Sequence, residues 1–289
     1  MKIALGSVQF GLDYGISNLI GTTSEKEVKK ILSFAFENGI DTIDTATAYG
    51  KSEIVLGSSD LSKFKIVTKI PTLSSDIVNI SKWVSEKVFS SIKRMKIDFF
   101  YAVLIHNPKN FIGSRGNILI QALHSLKKQG VIKKVGISIY DPLELTNIEN
   151  LKMIDLIQAP LNIIDRRLEK SGWLTKLNEE GVEIHTRSVF LQGLLLLEPN
   201  EIPLKFKKWR SLWDEWHNEL KKKKLSSVKE CLSYPLSLNA VHKVIVGVNN
   251  MKQLKEIISA SKTKTAKQDW SFMLSNDQML INPSNWSDL

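Results

Sequence analysis

Short apolar runs rich in β-branched residues recur along the chain, and each is followed by a longer stretch in which apolar positions return every three or four residues. A short, largely apolar run bounded by turn signals reads as a buried strand, and a period near 3.6 reads as a helix with one buried face. Eight such runs stand out: KIALG near the start, DTID to Asp44, FKIVTK to Lys69, FFYAVLIH to His106, IKKVGIS to Ser138, IDLIQ to Gln158, VEIHTRS to Ser188 and HKVIVGV to Val248. Between them, SEKEVKKILSFAFENG offers Ser24 as a helix N-cap with Glu27 at capping-box spacing and Gly39 at the C-terminal end. ILIQALHSLKKQG and LTKLNEEG stop in the same way at Gly130 and Gly181.

Strand, helix, glycine, strand is a βα unit. Eight of them with no polar linker or charge break predict a single α/β domain over residues 1–289, a (β/α)8 TIM barrel. An open doubly wound sheet would want G-x-G-x-x-G after its first strand, and LGSVQFGLDYG lacks that spacing. The main departure is a helical insertion at about 200–225 between strands seven and eight. Its Phe206, Trp209, Leu212, Trp213, Trp216 and Leu220 fall near helical spacing and are expected to pack it onto the barrel, with a tryptophan-lined lid as the alternative.

Composition changes this picture little. One cysteine, Cys231, excludes an internal disulfide, and MKIALGSVQF is not the start of a secretion signal, so a reducing, cytoplasmic setting is expected. The longest apolar candidate, FLQGLLLL, is far shorter than the roughly 20 residues that cross a bilayer, so no membrane partner is expected. The formal charge of +10 raises nucleic-acid binding, but the lysines are scattered. The dense run Lys221 to Lys224 falls where cations complement a helix dipole, and no nucleic-acid partner is expected.

In a parallel barrel the chemistry sits at the C-terminal ends of the strands. There the sequence places Asp44 after strand two, Tyr49 in the following loop, Lys69 after strand three and His106 after strand four. Alone, each has an ordinary structural use as cap, solvated cation, core ring or loop donor. Strands about 4.8 Å apart let all four converge, and convergence points to function. Together they make a proton donor for a carbonyl: an ammonium favours the phenolate of the tyrosine, a carboxylate holds the ammonium, and the imidazole positions the substrate oxygen. None of them donates a hydride, which implies a nicotinamide cofactor. A lyase or aldolase with Lys69 as Schiff-base nucleophile is a competing reading.

The motifs GIDTIDTATAYGKSE, IVTKI, AVLIHNP, VGISIY, IQAPLNIIDRR, RSVFLQGLL and VIVGVNNMKQLKEI, in that order, resemble the aldo-keto reductase superfamily over nearly the whole chain. The resemblance implies an NADPH-dependent reductase of aldehydes or ketones, with NADH as the alternative, and Asp44, Tyr49, Lys69 and His106 as its catalytic tetrad. It also implies that Ser138 and Gln158 hold the nicotinamide carboxamide, that Ser188 and Gln192 approach the pyrophosphate, and that Gly247, Asn249, Gln253 and Glu256 form the adenosine phosphate site. Three departures stand out. Ile139 replaces a usual Asn, so one carboxamide contact is expected to be either missing or supplied by Asn162; Arg187 stands where an aromatic ring usually meets the nicotinamide; and no arginine clamps a 2′-phosphate, leaving Lys252 as the nearest cation.

The substrate is expected to be a small carbonyl compound, anionic or sugar-like in view of Arg187. The two unusual positions also motivate a second function class, a cofactor-binding barrel that acts as a regulatory or interaction protein. No metal site is expected. The chain begins at strand one, so something other than an N-terminal hairpin is expected to cover the barrel bottom. Trp213, Trp270 and Trp286 are candidate pocket walls, with plain packing as the alternative.

Overall fold

Eight strands form where the eight runs stand: β1 (Ile3–Gly6), β2 (Thr42–Asp44), β3 (Lys65–Ile70), β4 (Phe100–Ile105), β5 (Ile132–Ser138), β6 (Leu156–Pro160), β7 (Glu183–Arg187) and β8 (Lys243–Gly247). In the computed structural model, which describes residues 1–148, 151–263 and 268–289, they are all parallel. They close into one barrel in chain order. The chain is thus a (β/α)8 barrel. The described helices are α1 (Glu25–Glu37), α2 (Ser52–Leu56), α3 (Ile80–Met95), α4 (Gly113–Lys128), α5 (Arg167–Lys170), α6 (Trp173–Glu179), α7 (Arg210–Lys223), α8 (Ser227–Ser237), α9 (Met251–Lys262) and α10 (Gln278–Ile281).

The expected caps form. Ser24 Oγ accepts from Glu27 N at 3.3 Å, and Gly39, Gly130 and Gly181 take the left-handed conformation that ends a helix. Half of the expected capping box does not form. Instead of reaching back to Ser24, the Glu27 carboxylate accepts from Met251 N at 2.9 Å, the open donor at the first residue of α9. The fifth unit also departs from expectation. After β5 the described residues make 3-10 turns, Pro142–Asn147 and Leu151–Met153, the first started by an Asp141–Glu144 capping box with Pro142 at its head.

Most of the core lies between the sheet and the helices, while Val67, Ala102, Leu104 and Leu156 form a small cluster of their own. In the expected insertion, a 3-10 turn (Leu204–Trp209) leads into α7, and buried Phe206, Trp213, Trp216 and Leu220 pack it down. At the N-terminal ends of the strands lies a polar network. Glu183 takes Lys134, Tyr101 Oη at 2.7 Å and His185 Nε2 at 2.7 Å, and Asp41 joins Lys65 and Lys243 beside it. No helix among the described residues is long and apolar enough to cross a membrane.

Candidate active site

The parallel register brings the strand ends to one level: Gly6 pairs with Asp44 and Gly247, Lys69 with Leu104, and Ser138 with Gln158. Asp44 therefore faces Lys69 across one interstrand gap. The Lys69 ammonium, 1% exposed, lies 2.8 and 2.7 Å from the two Asp44 oxygens, 3.0 Å from Thr45 O and 3.3 Å from Tyr49 Oη. His106 stands beyond Tyr49, with the two rings nearly perpendicular at 6.1 Å between centroids. Gln158 Nε2 donates to Asp44 Oδ1 at 2.7 Å, so the carboxylate accepts three short hydrogen bonds from two donors.

The loop carrying Tyr49 is held by contacts that are distant in sequence. Glu53, 3% exposed, accepts from Thr68 Oγ1 next to Lys69, from Ser91 Oγ and from the Arg94 guanidinium. Below the loop, a Cβ on Gly11 would lie 2.0 Å from Tyr49 O and 2.3 Å from Ser52 N, so only glycine lets the first βα loop support it. Gly50 closes the same contact from above, at φ +55° and against Gly11 O.

Electrostatics divide the four groups. Burial alone would lower the Lys69 ammonium, but Asp44 and Tyr49 outweigh it and hold Lys69 above its ordinary value. Such a lysine stays charged, which removes the lone pair a Schiff base needs and sets the aldolase reading aside. Tyr49 corrects the sequence expectation: burial raises its phenol, and the pull of Lys69 only partly offsets that. His106 is lowered to about 4 by burial and by the nearby Lys69 charge, so it is neutral at pH 7.

These groups open into a cavity of about 470 Å³ that runs from Tyr49, Lys69 and His106 to Gln253 and Glu256 on α9. Ser138, Gln158, Arg187, Ser188, Gln192, Gly247 and Asn249 line it, as expected. Asn162 does not line it. Its oxygen accepts from Ile164 N and Asp165 N and its amide donates to Ser188 O, so the side chain shapes the loops after β6 and β7. Lys252 is exposed and outside the lining.

Trp213, Trp270 and Trp286 are packing residues, with indole donors at Phe206 O, Glu230 Oε2 and Leu280 O. From the C-terminal tail it is Pro283 and Ser284 that reach the cavity. Arg187 stacks its guanidinium 4.4 Å from the Tyr140 ring and donates to Ile139 O at 3.0 Å. The sequence reading missed Gln9, Tyr14 and Ser17 of the β1–α1 loop, although GSVQFGLDYGIS has the Gly-punctuated, polar look of a ligand loop.

Two features of the wall fit a nicotinamide dinucleotide. Gln158 Oε1 is buried without a partner beside the four groups, a free acceptor for an amide N–H. At Gly247 a side chain would collide with Gln9, so the backbone there is bare toward the cavity.

A parallel barrel with a charged lysine, its carboxylate, a phenol and a neutral imidazole at its mouth defines a class of cofactor-using oxidoreductases. The sequence profile of the Aldo/keto reductase family matches residues 2–275, and the chain belongs to that family. It is 27% identical over 270 residues to the uncharacterised oxidoreductase YqkF of Bacillus subtilis, covering 86% of this chain and 87% of that one. It is 26% identical over 181 residues to the NADH-specific methylglyoxal reductase of Escherichia coli, covering 54% of each. Among solved structures, the holo form of the aldo-keto reductase AKR11C1 from Bacillus halodurans has a similar fold. Its TM-score is 0.72 at 22% identity, over 92% of this chain and 88% of that one.

Proposed function

We propose that this protein reduces a small aldehyde or ketone to an alcohol with a reduced nicotinamide dinucleotide, Tyr49 giving the proton. The observation that carries the reading is Lys69, charged, pinned by both oxygens of Asp44 and 3.3 Å from the Tyr49 hydroxyl. Tyr49 keeps its proton through neutral pH because burial raises its phenol, and Lys69 stabilises the phenolate left once the proton has gone to the carbonyl oxygen. Asp44 keeps Lys69 charged. His106, neutral, offers a ring N–H to the same substrate oxygen and so sets its distance from Tyr49.

The bound dinucleotide would supply the hydride. Ser138 and the free Gln158 Oε1 would hold its carboxamide, Ser188 and Gln192 the pyrophosphate, and Gly247, Asn249, Gln253 and Glu256 the adenosine end. Asn162 acts one step back, through Ser188. The family resemblance favours NADPH, whereas the charges at the adenosine end favour NADH.

Arg187 is the one guanidinium in the lining, beside Tyr140 at the tetrad end. It favours a carbonyl compound carrying a carboxylate or many hydroxyls, and small dicarbonyls of the methylglyoxal type belong in the same screen. The test is oxidation of the reduced dinucleotide by a panel of aldehydes and ketones. Tyr49→Phe should bind the dinucleotide as wild type does and lose about 10²-fold or more in kcat, the usual worth of a positioned general acid. Turnover unaffected by Tyr49→Phe would refute the assignment.

A further inference from the structure

Charge differs between the two ends of the cavity: at the tetrad end Asp44, which also lines it, offsets Lys69 and leaves the Arg187 guanidinium. The lining cations, Lys69 and Arg187, both stand at the tetrad end, with His106 neutral between. At the other end Glu256, on α9, is the only acidic or basic side chain in the lining among the described residues. With the nicotinamide at the tetrad, the adenosine half must lie toward α9, because the cavity extends that way.

A phosphate there would ordinarily be drawn to the first turn of α9 by its free N–H groups. Two of those groups, and the Asn249 N–H just before the helix, are taken by the protein's own side chains. Asn249 N donates to Gln253 Oε1 at 2.7 Å, Met251 N to Glu27 Oε1 at 2.9 Å and Gln253 N to Asn250 Oδ1 at 3.0 Å. Glu27 comes from α1, and the two helix starts are tied together by Thr23 Oγ1 to Asn249 O and by Asn249 Nδ2 to Gly21 O. A carboxylate of the protein's own, Glu27, thus stands at the start of α9, with the exposed Lys30 ammonium 3.5 Å from its other oxygen.

We infer that the cavity selects the nicotinamide dinucleotide without a 2′-phosphate, and that Glu27 is a specificity-determining residue. It stands at the helix end rather than in the cavity wall. It acts by its charge and by occupying the Met251 donor. A phosphate monoester carries about −1.5 to −2 charge at pH 7 and would meet Glu27 and Glu256 with no cation among the described lining residues at that end. A ribose hydroxyl carries no such charge and can donate to a carboxylate. This inference rests on the proposed reductase function, since it places a nicotinamide at Tyr49 and Lys69.

Titration of the full chain with NADH and NADPH, followed by quenching of the seven tryptophans, tests it. NADH should bind about ten-fold or more tightly than NADPH, the order expected of partly screened like charges, and added salt should narrow the gap. Glu27→Gln keeps an acceptor for Met251 N and should tighten NADPH about five-fold while leaving NADH within about two-fold. Gln253→Arg, which adds a cation to the wall, should also tighten NADPH relative to NADH. Equal or tighter NADPH binding by wild type would overturn the inference and leave the reductase reading standing. A preference for NADH untouched by Glu27→Gln would overturn the role of Glu27. Binding of neither dinucleotide would overturn the inference and the proposed function together.

Discussion

Replacing Asp44 with asparagine removes the carboxylate that compensates the Lys69 ammonium. Both side chains are nearly closed to solvent, 1% exposed for Lys69 and 6% for Asp44, so water cannot take over. Lys69 would keep Thr45 O and Tyr49 Oη, two neutral partners for a full charge. Breaking a buried pair from one side costs about 3–5 kcal/mol, because the remaining charge stays desolvated. A chain of 289 residues unfolds with an entropy of roughly 0.6 kcal/mol per degree, so Asp44→Asn should lower Tm by about 5–8 °C in thermal unfolding followed by circular dichroism. The double variant Asp44→Asn/Lys69→Met has no orphaned charge and should recover part of that loss. A Tm within about 1 °C of wild type, or a double variant less stable than the single one, would refute the reasoning.

Two further outcomes follow from the same geometry. Gly11→Ala places a methyl 2.0 Å from Tyr49 O, which must displace the tyrosine loop; about 1–3 kcal/mol of stability should be lost, with at least a ten-fold fall in kcat for carbonyl reduction, and an unchanged kcat would show that the loop is supported otherwise. With Tyr49 raised and His106 lowered to about 4, the reduction rate should stay flat from about pH 6 to 9. A fall in rate centred near 6.5 would mean that His106 titrates as an ordinary imidazole. His106 also bears on stability: its folded value lies below its unfolded one, so the unfolded chain takes the proton first, and stability drops as pH falls from 6.5 to about 4, by about 3 kcal/mol at most.

The strands were legible because the signal is local. Each buried strand of a parallel barrel is a short apolar run, and all eight were placed within two residues of their observed bounds. The strand-end residues Asp44 and Lys69 then followed from fold alone, whereas Ser138 and Gln158 were implied by the family resemblance; register carries all of them to one level. The support of Tyr49 was less legible. Glu53 acts through Thr68, Ser91 and Arg94, up to 41 positions away, and Gly11 acts through the space it leaves empty. Glu27 was read as a local cap because its spacing from Ser24 allows one; its actual partner lies 224 positions away in α9. Asn162 was assigned to the cofactor by analogy, but two backbone donors and Ser188 O turn its amide to the loops, outside the cavity lining. The sign of the Tyr49 shift needed the depth of its burial, which residue order does not give.

The central claim is that a hydride passes from a bound nicotinamide to a carbonyl carbon while Tyr49 protonates the oxygen. Incubating the protein with an active aldehyde and a reduced dinucleotide deuterated at the transferable position, and weighing the alcohol by mass spectrometry, tests it most directly. The account predicts one deuterium on the former carbonyl carbon, formed by wild type and lost in Tyr49→Phe. Alcohol without the label, or labelled alcohol formed equally well without the Tyr49 hydroxyl, would contradict it.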